Sequence, residues 1–440
     1  MLRLLLFVAF LVSPFGANAG SILVLIDTPM VHITHSQYLQ ALSDLGFKLT
    51  YSMADDPTVK LFKYGELLYE HVLILAPTVV EFGGSAAVND LPKYIDSGGN
   101  VLVAADSKLG YGIAVLANQC GLEFDAENAY VIDHFHYNKI GDNGRHTLLV
   151  APPGNLDHVQ PIVGSRQLAP ILFRGIGMRV GKNNPLIIPL LRAPSTSFSY
   201  SPTGFVEDKP FITGNSTVLF GVMQARNNAR VAFTGSIELF SNELMNTAVS
   251  SADGKHRHPT SGNKEFAVAL SQWVFKEKGV LRVKSVKHHK VGEREAPAAY
   301  TIMDMLQFTI EIEERRNGKW IPYVANDVQL EFVRIDPFIR TTLKGGKDGV
   351  YTTTFQVPDV YGVFKLMVDY HRIGWTHLYN VTQVSVRPFE HTQYERFIRS
   401  AYPYYASAFS MMLSVLLFSC IFLYHKDTAP TTTTTTKKDN

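Results

Sequence analysis

Hydrophobic residues change their spacing twice along the chain, and each change predicts a different kind of structure. From Ile22 to Ile26 the residues are continuously apolar, the mark of a strand covered on both faces in a parallel sheet. Tyr38, Leu39, Leu42 and Leu45 then fall at helical spacing, with Thr34 as the expected N-cap and Gly46 as the left-handed C-terminal residue. Phe47 to Tyr51 reads as the next strand. The cycle repeats with Val72 to Leu75, a helix through Leu91 to Ile95 stopped by Gly98-Gly99, and Val101 to Val103. Strands over Thr147 to Val150, Pro170 to Phe173, Leu186 to Leu190, Thr217 to Val222 and Val231 to Phe233, and a helix around Phe266 to Phe275, complete the predicted body. It is an α/β domain of doubly wound type, residues 20–279.

Beyond Pro297 the period becomes two. Phe308, Ile310 and Ile312 alternate with polar residues, Asn317-Gly318 is a strong hairpin signal, and Trp320 to Tyr323 returns. Val328 to Val333, Tyr351 to Val357, Val363 to Asp369 and Val381 to Val386 continue the rhythm, with a turn at Asp348-Gly349. This predicts an all-β, sandwich-like domain of about seven strands over residues 280–390. A polar, aromatic-containing connector follows over residues 391–403.

Residues 404–424 carry no charge, enough for a transmembrane helix across ~30 Å of hydrocarbon. Tyr402, Tyr404 and Tyr405 at one border and Tyr424 at the other suit membrane interfaces. At the other terminus Arg3, the apolar run Leu4 to Val12 and Ala17-Asn18-Ala19 form a signal peptide, residues 1–19. Flanking charge does not decide orientation; the cleaved signal places the body in the lumen and residues 425–440 in the cytosol. The tail holds six threonines, Thr431 to Thr436, then Lys437 and Lys438. Lysines at these positions match a dilysine retrieval signal for the endoplasmic reticulum. A basic end that merely solubilises the tail is the plainer alternative, and the signal peptide favours retrieval.

Composition narrows the chemistry. With 46% hydrophobic residues and 41 basic against 39 acidic, a folded body is expected and nucleic acid is not an expected partner. Cys120 lies in the predicted body and Cys420 in the predicted span, so no intrachain disulfide is expected. After the first strand comes Asp27-Thr28-Pro29-Met30 rather than a glycine-rich phosphate turn, and Gly175, Gly177 and Gly181 have the wrong spacing for a dinucleotide fingerprint. No cofactor is expected. Asp133, His134 and His136 are the best metal candidate but lack a third anchored ligand, which favours a structural role and no metal. His256-Arg257-His258 and His288-His289 read as solvated loops. There is no Gly-x-Ser-x-Gly elbow, and Cys120 has no recognisable His partner, which makes it a core residue. Asp55-Asp56 could line a sheet's carboxyl edge, although Pro57 favours a turn or cap, and Asp125-Ala126-Glu127 only loosely resembles a sugar-transferase carboxylate pair. No catalytic residue is expected. Asn215-Ser216-Thr217 and Asn380-Val381-Thr382 are glycan acceptor sequons if exposed in the lumen.

Longer blocks carry a resemblance. They include Thr34-His35-Ser36, Ala54-Asp55-Asp56-Pro57, Lys63-Tyr64-Gly65-Glu66, Val131-Ile132-Asp133-His134, Ile171-Leu172-Phe173-Arg174-Gly175 and the run Gln224 to Arg230. Trp273-Val274-Phe275-Lys276-Glu277, Phe332 to Phe338 and the run from His391 to Met412 follow in order. Through these the chain resembles the DDOST-type, forty-eight-kilodalton membrane subunits of oligosaccharyltransferase from Ser21 to about Leu423; the threonine-rich tail is not part of the likeness. The resemblance implies a subunit of the complex that moves oligosaccharide from dolichyl diphosphate to asparagine in nascent chains. It implies that another subunit is catalytic, and that the partners are that catalytic subunit, ribophorin-type subunits, small membrane subunits and membrane lipid. The residues agree: the span holds no acidic residue, and Trp273, Trp320 and Trp375 are isolated rather than tandem. Ala406, Ser407, Ala408, Ser410, Ser414 and Ser419 would let the span pack closely on other helices, against the simpler reading of an anchor facing lipid. The expected role is non-catalytic assembly and stabilisation. An alternative is a lumenal carbohydrate-binding module using Asp27, Asp55 and Asp56; an independent glycosyltransferase lacks a convincing donor-binding carboxylate pair.

Overall fold

A computed structural model of the chain describes residues 20–426 apart from 88, 158–159, 164–167, 182–183, 203–208, 255–256, 317 and 397. The expected signal peptide, His256, Asn317, Lys437 and Lys438 lie outside the described residues.

The first body is built on a nine-stranded mixed sheet. Its strands are β1 (Ser21–Ile26), β2 (Lys48–Met53), β3 (His71–Leu75), β4 (Asn100–Ala104), β5 (Leu122–Phe124), β6 (Met178–Val180), β7 (Ile187–Arg192), β8 (Val218–Gln224) and β9 (Arg230–Thr234). They lie in the order β2-β1-β3-β4-β9-β8-β6-β5, with β7 also paired to β8. The first five positions are parallel and the rest antiparallel. β8 turns directly into β9 at Ala225–Ala229, where Asn228 takes a left-handed backbone, a conformation asparagine tolerates. Every residue of β3, β4, β8 and β9 is buried, which explains their apolar centres; the polar residues His71, Asn100, Gln224, Arg230 and Thr234 stand at their ends.

Alternate residues of the parallel strands feed two cores. Ile22, Val24, Leu73 and Leu102 pack with Tyr38, Leu39 and Leu42 of α1 (Ser36–Asp44) and with the helix Asn263–Val274. Leu23, Leu25, Val72 and Val101 pack on the other side with Leu91 and Tyr94 of α2 (Asp90–Asp96) and Ile113 and Leu116 of α3 (Tyr111–Cys120). The helix Asn263–Val274, α4, turns Phe266, Leu270 and Trp273 inward.

Two local expectations are corrected. Thr34 is not an N-cap: it ends a single turn, Val31–Thr34, its hydroxyl donates to the Met30 carbonyl (3.1 Å), and α1 begins only after His35. The orphan N–H of Gln37 instead donates to the side chain of Asn242 at 3.0 Å, so a distant residue does the capping. Leu149–Ala151 and Ile171–Phe173 pair with each other in a separate two-stranded sheet.

The second body contains β10 (Lys278–Lys290), β11 (Tyr300–Thr301), β12 (Met305–Arg316), β13 (Lys319–Pro322), β14 (Gln329–Val333), β15 (Pro337–Thr342), β16 (Lys344–Gly345), β17 (Val350–Gln356), β18 (Gly362–Tyr370) and β19 (Leu378–Arg387). One five-stranded sheet runs β10-β12-β17-β16 with β13 on β12; the other runs β11-β19-β18-β14-β15. Both contribute to one core, in which Phe308, Ile310 and Ile312 meet Phe332, Phe364 and Leu366. The last helix, α5 (Tyr402–Tyr424), has no buried residue and is the one helix among the described residues long and apolar enough to cross a membrane.

The bodies meet at Arg230, the first residue of β9. Its buried guanidinium lies 4.5 Å from the Trp273 ring and donates to the carbonyls of Trp273 (2.5 Å), Lys278 (2.8 Å) and Gly279 (2.6 Å). The loop after β18 closes over it: Trp273 Nε1 donates to Gly374 (2.7 Å), Gln224 Nε2 to Trp375 (2.6 Å), and the His377 N–H to Asn228 Oδ1 (2.7 Å). Gly279 has φ +71°, and a Cβ there would stand 2.6 Å from the Gly374 carbonyl, so glycine is required.

Arg230→Ala leaves buried carbonyls without a donor and is expected to lower the unfolding free energy by roughly 3 kcal/mol or more. Arg230→Lys should not restore it, because an ammonium lacks the planar fork that serves these carbonyls while stacking on an indole. Denaturant titration of the detergent-solubilised chain checks both; a loss under about 1 kcal/mol for the alanine variant would remove Arg230 from this role.

Candidate functional site

Parallel strands direct all their carboxyl ends to one edge, where ligands of open α/β sheets bind. Here that edge carries Asp27 after β1, Asp55 and Asp56 after β2, Thr78 after β3, Asp106 after β4 and Glu238 after β9. Asp27 accepts hydrogen bonds from Thr78 Oγ1 (3.0 Å) and Thr28 Oγ1 (3.3 Å). Asp106 accepts from the Ser107 N–H at 2.7 Å, yet burial raises its carboxyl above the usual range. Arg174 Nε donates to Glu238 Oε2 at 2.6 Å. Burial pushes Glu238 up as well, with Arg174 opposing and the charges of Asp106 and Glu243 adding to the rise. Gly175 and Gly235 permit this: a Cβ on Gly175 would lie 2.0 Å from the Gly235 carbonyl, and one on Gly235 1.8 Å from that of Ile176. The buried imidazole of His35 sits 3.2 Å from the Ile237 carbonyl and is held below its ordinary value by burial.

Of the predicted edge residues, Asp27 joins this array. Asp55 is exposed, and Asp56 accepts both the N–H and hydroxyl of Thr58 at 2.8 Å, a turn that holds its carboxyl below the usual range. Asp125 accepts the neighbouring Ala126 N–H (2.7 Å) and Glu127 is exposed. Sequence reasoning missed Asp106, Arg174 and Glu238. The signal for Asp106 was present, since it follows Val101 to Ala105 as Asp27 follows Ile22 to Ile26. The array offers partly buried carboxylates that accept hydrogen bonds and one guanidinium that donates them.

The strand Tyr130–Ile132 stops before Asp133, so Asp133, His134 and His136 lie in a loop. Buried Asp133 accepts from the N–H groups of Phe135 (2.8 Å) and His136 (3.1 Å) and from Thr196 Oγ1 (2.7 Å), and His136 Nδ1 stands 3.1 Å from it. His134 turns instead to His146, with their Nδ1 atoms 2.6 Å apart. Among the described residues no three His, Cys, Asp or Glu side chains converge as a metal site. Both cysteines are free; burial pushes the Cys120 thiol up to about 12. Asn215 lies exposed in the single 3₁₀ turn Gly214–Ser216, whereas Asn380 sits within β19, its Oδ1 buried without a partner.

Where the two bodies join, a cavity of about 190 Å³ is lined by Glu70, His71, Asn100, Lys276, Glu277 and Arg315, among others. Arg315 pairs with Glu277 at 2.7 Å. His71 is buried, tilted against Phe275 with ring centroids 5.0 Å apart, and its Nδ1 lies 3.1 Å from Asn100 Nδ2. Burial, helped by the charges of Lys276 and Arg315, pushes its imidazole down to about 3.

Comparison with known proteins adds a family. Residues 15–277 match the model for the OST48 N-terminal domain, and residues 288–426 match that for the OST48 middle domain. The chain is similar to proteins named dolichyl-diphosphooligosaccharide–protein glycosyltransferase 48 kDa subunit. The Danio rerio protein is 51% identical over 93% of this chain and 92% of its own length. The Drosophila melanogaster protein is 52% identical over 92% and 91%, and the Caenorhabditis elegans protein 51% identical over 93% and 92%.

The His71 geometry carries a pH dependence. Folded, the imidazole stays neutral; unfolded, it protonates below its ordinary 6.5. Unfolding therefore takes up a proton in that range, so the stability from neutral His71 is complete above about pH 6.5 and is lost as pH falls toward 3. The loss at pH 5 should be about 2 kcal/mol. Thermal unfolding at pH 7 and pH 5 measures it; His71→Phe should show a shallower slope, and an equal slope would exclude His71 as its source.

Proposed function

The chain belongs to the OST48 family, and from that premise we propose that it is a non-catalytic, assembly and stabilising subunit of the oligosaccharyltransferase complex in protein N-glycosylation. Its relatives are named as the 48 kDa subunit of that transferase. The observation that carries the non-catalytic reading is α5. Handling a lipid-linked pyrophosphate calls for a membrane-embedded acidic site, and Tyr402–Tyr424 contains no acidic residue. Three of its four serines bond within the helix: Ser407, Ser410 and Ser419 donate to the carbonyls of Tyr404, Ser407 and Val415, each at 2.8 Å. The small-residue face is thereby left free for close approach by another subunit's helix.

In this reading residues 1–19 are removed as a signal peptide, and residues 20–279 and 280–390 are lumenal domains, the first doubly wound and the second sandwich-like. The chain is a type I protein of the endoplasmic reticulum membrane, with its tail, including Lys437 and Lys438, cytosolic. Its partners are the catalytic, ribophorin-type and small membrane subunits. The partly buried carboxylates of Asp27, Asp106 and Glu238 favour one second reading, a carbohydrate-binding surface within that complex. Glycan-array binding by the solubilised chain, lost in Asp106→Asn, would support it.

Gentle-detergent purification of the tagged chain should recover the other transferase subunits together with transfer of oligosaccharide to an acceptor peptide. The chain alone should have no activity; transfer by the pure chain would overturn the non-catalytic role. Exposure further separates the sequons. Endoglycosidase should shift the wild-type chain and Asn380→Gln but not Asn215→Gln; the opposite pattern would show that acceptor choice does not follow folded exposure.

A further inference from the structure

The two ends of the second body differ in kind. At one end the loop containing Trp375 and His377 docks on the first body. At the other, β10 finishes opposite the start of β12, with Lys290 facing Leu306, and β17 finishes at Gln356 opposite Met305. The partner sheet has the same polarity: β14 ends with Val333 opposite Lys365, and β18 begins with Gly362 opposite Val386 near the end of β19. The N–H of Ile302 donates to the Arg387 carbonyl (3.0 Å) and that of Met303 to Val357 (3.1 Å), tying the turns of both sheets together. This same tip is where the chain departs for α5.

The tip is unusually apolar for a solvent-exposed surface. Ile335 is 89% exposed, Tyr361 65% and Val363 51%, with Phe338, Met305 and Met303 close to half exposed. They stand on separate turns and on the strand ends beside them: Met303, Ile335 and Tyr361 on turns, Met305, Phe338 and Val363 in the first two residues of their strands. Met303 is held at φ +64°, a backbone region that costs a non-glycine residue free energy. Interleaved charges are of both signs: Arg294 and Arg334 against Glu293, Asp336 and Asp359. The tip is thus apolar without being a basic patch.

The connector keeps this end near α5. Residues 388–401 separate β19 from α5. Fully stretched they would reach about 45 Å. They are not stretched: Gln393 N–H donates to Glu390 (2.9 Å), the Phe389 and Tyr394 rings lie 5.6 Å apart, Phe389 packs on the domain core, and Ala401 N–H donates to Ile398 (3.0 Å).

We propose that Met303, Ile335 and Tyr361 on the turns, with Phe338 at the start of β15, insert into the interfacial layer of the bilayer that α5 crosses, making the second body a membrane-seated domain. Apolar side chains displayed on several turns at the end from which a span departs match a lipid surface, into which each partitions independently. Tyrosine beside aliphatic residues suits the headgroup boundary. The mixed charge makes the seating apolar rather than electrostatic, so it needs no anionic lipid. The proposal rests on α5 being a membrane span.

The test uses the full chain with Cys420→Ser in phosphatidylcholine nanodiscs, with a nitroxide attached at Ile335→Cys or Tyr361→Cys. Val324→Cys, solvent-exposed to about the degree of Tyr361 but at the docked end, is the control. Relaxation by oxygen against a water-soluble nickel chelate reports depth. The expected result is lipid-like accessibility at positions 335 and 361 and aqueous accessibility at 324. Aqueous values at all three in a chain that resists carbonate extraction would overturn the insertion and leave the span intact; extraction by carbonate would overturn both. In the purified complex, shielding of 335 and 361 from both reagents would place a protein neighbour on the tip and overturn the lipid assignment.

Discussion

Arg230 is buried, with no carboxylate partner among the described residues, and its guanidinium is directed at main-chain carbonyls and the face of Trp273. An unpaired buried cation is costly unless its donors are met. Three carbonyls and an indole meet most of that need, although Nε has no partner. The geometry around it explains why such a device is present. From α4 into β10 the chain must turn sharply from one body into the other, with Lys276 before β10 and Gly279 at its second residue both at positive φ. That turn leaves carbonyls pointing inward, where water cannot reach them. Arg230 collects them, and Trp273 then presents its indole N–H to the Gly374 carbonyl. Beside this side chain the loop at Trp375 to His377 docks on Gln224 and Asn228.

Much of the fold was legible because burial writes itself into sequence. Ile22 to Ile26, Val72 to Leu75 and Val101 to Val103 are apolar on both faces because helices cover both faces. The alternation from Phe308 to Ile312 was equally clear, since one side of β12 faces the shared core. The thirteen-residue strand β10 was missed: Arg282, Lys284 and Lys287 interrupt its apolar positions, and its stability comes from partners such as Glu313 and Glu311 that only pairing with β12 supplies. Short strands such as Leu122–Phe124 and Met178–Val180 are too brief to show a period. The cap of α1 was illegible for another reason, since its acceptor, Asn242, is 205 residues distant. Likewise Arg174 and Glu238 give no local sign of meeting, because glycines 60 residues apart, Gly175 and Gly235, bring them together.

The arrangement divides labour along the chain. The parallel sheet presents a carboxylate-rich edge, the junction fixes the two bodies against each other, and the far end of the second body leads to an apolar helix. Each part is compatible with the assembly role proposed for the chain. Such a division depends on rigidity, because a hinge at the junction would let the two bodies move independently. The central claim is therefore that the two bodies behave as one folded unit.

Hydrogen exchange at single-residue resolution tests that claim most directly. The amides of Leu281, Thr376 and His377 donate across or beside the junction, to Thr376 Oγ1, the Gly279 carbonyl and Asn228 Oδ1. If the bodies are locked, these amides exchange only as slowly as those of Val222 and Ala232 in the central sheet, through global unfolding. If they exchange orders of magnitude faster while the sheet stays protected, the junction opens on its own and the single-unit account is wrong.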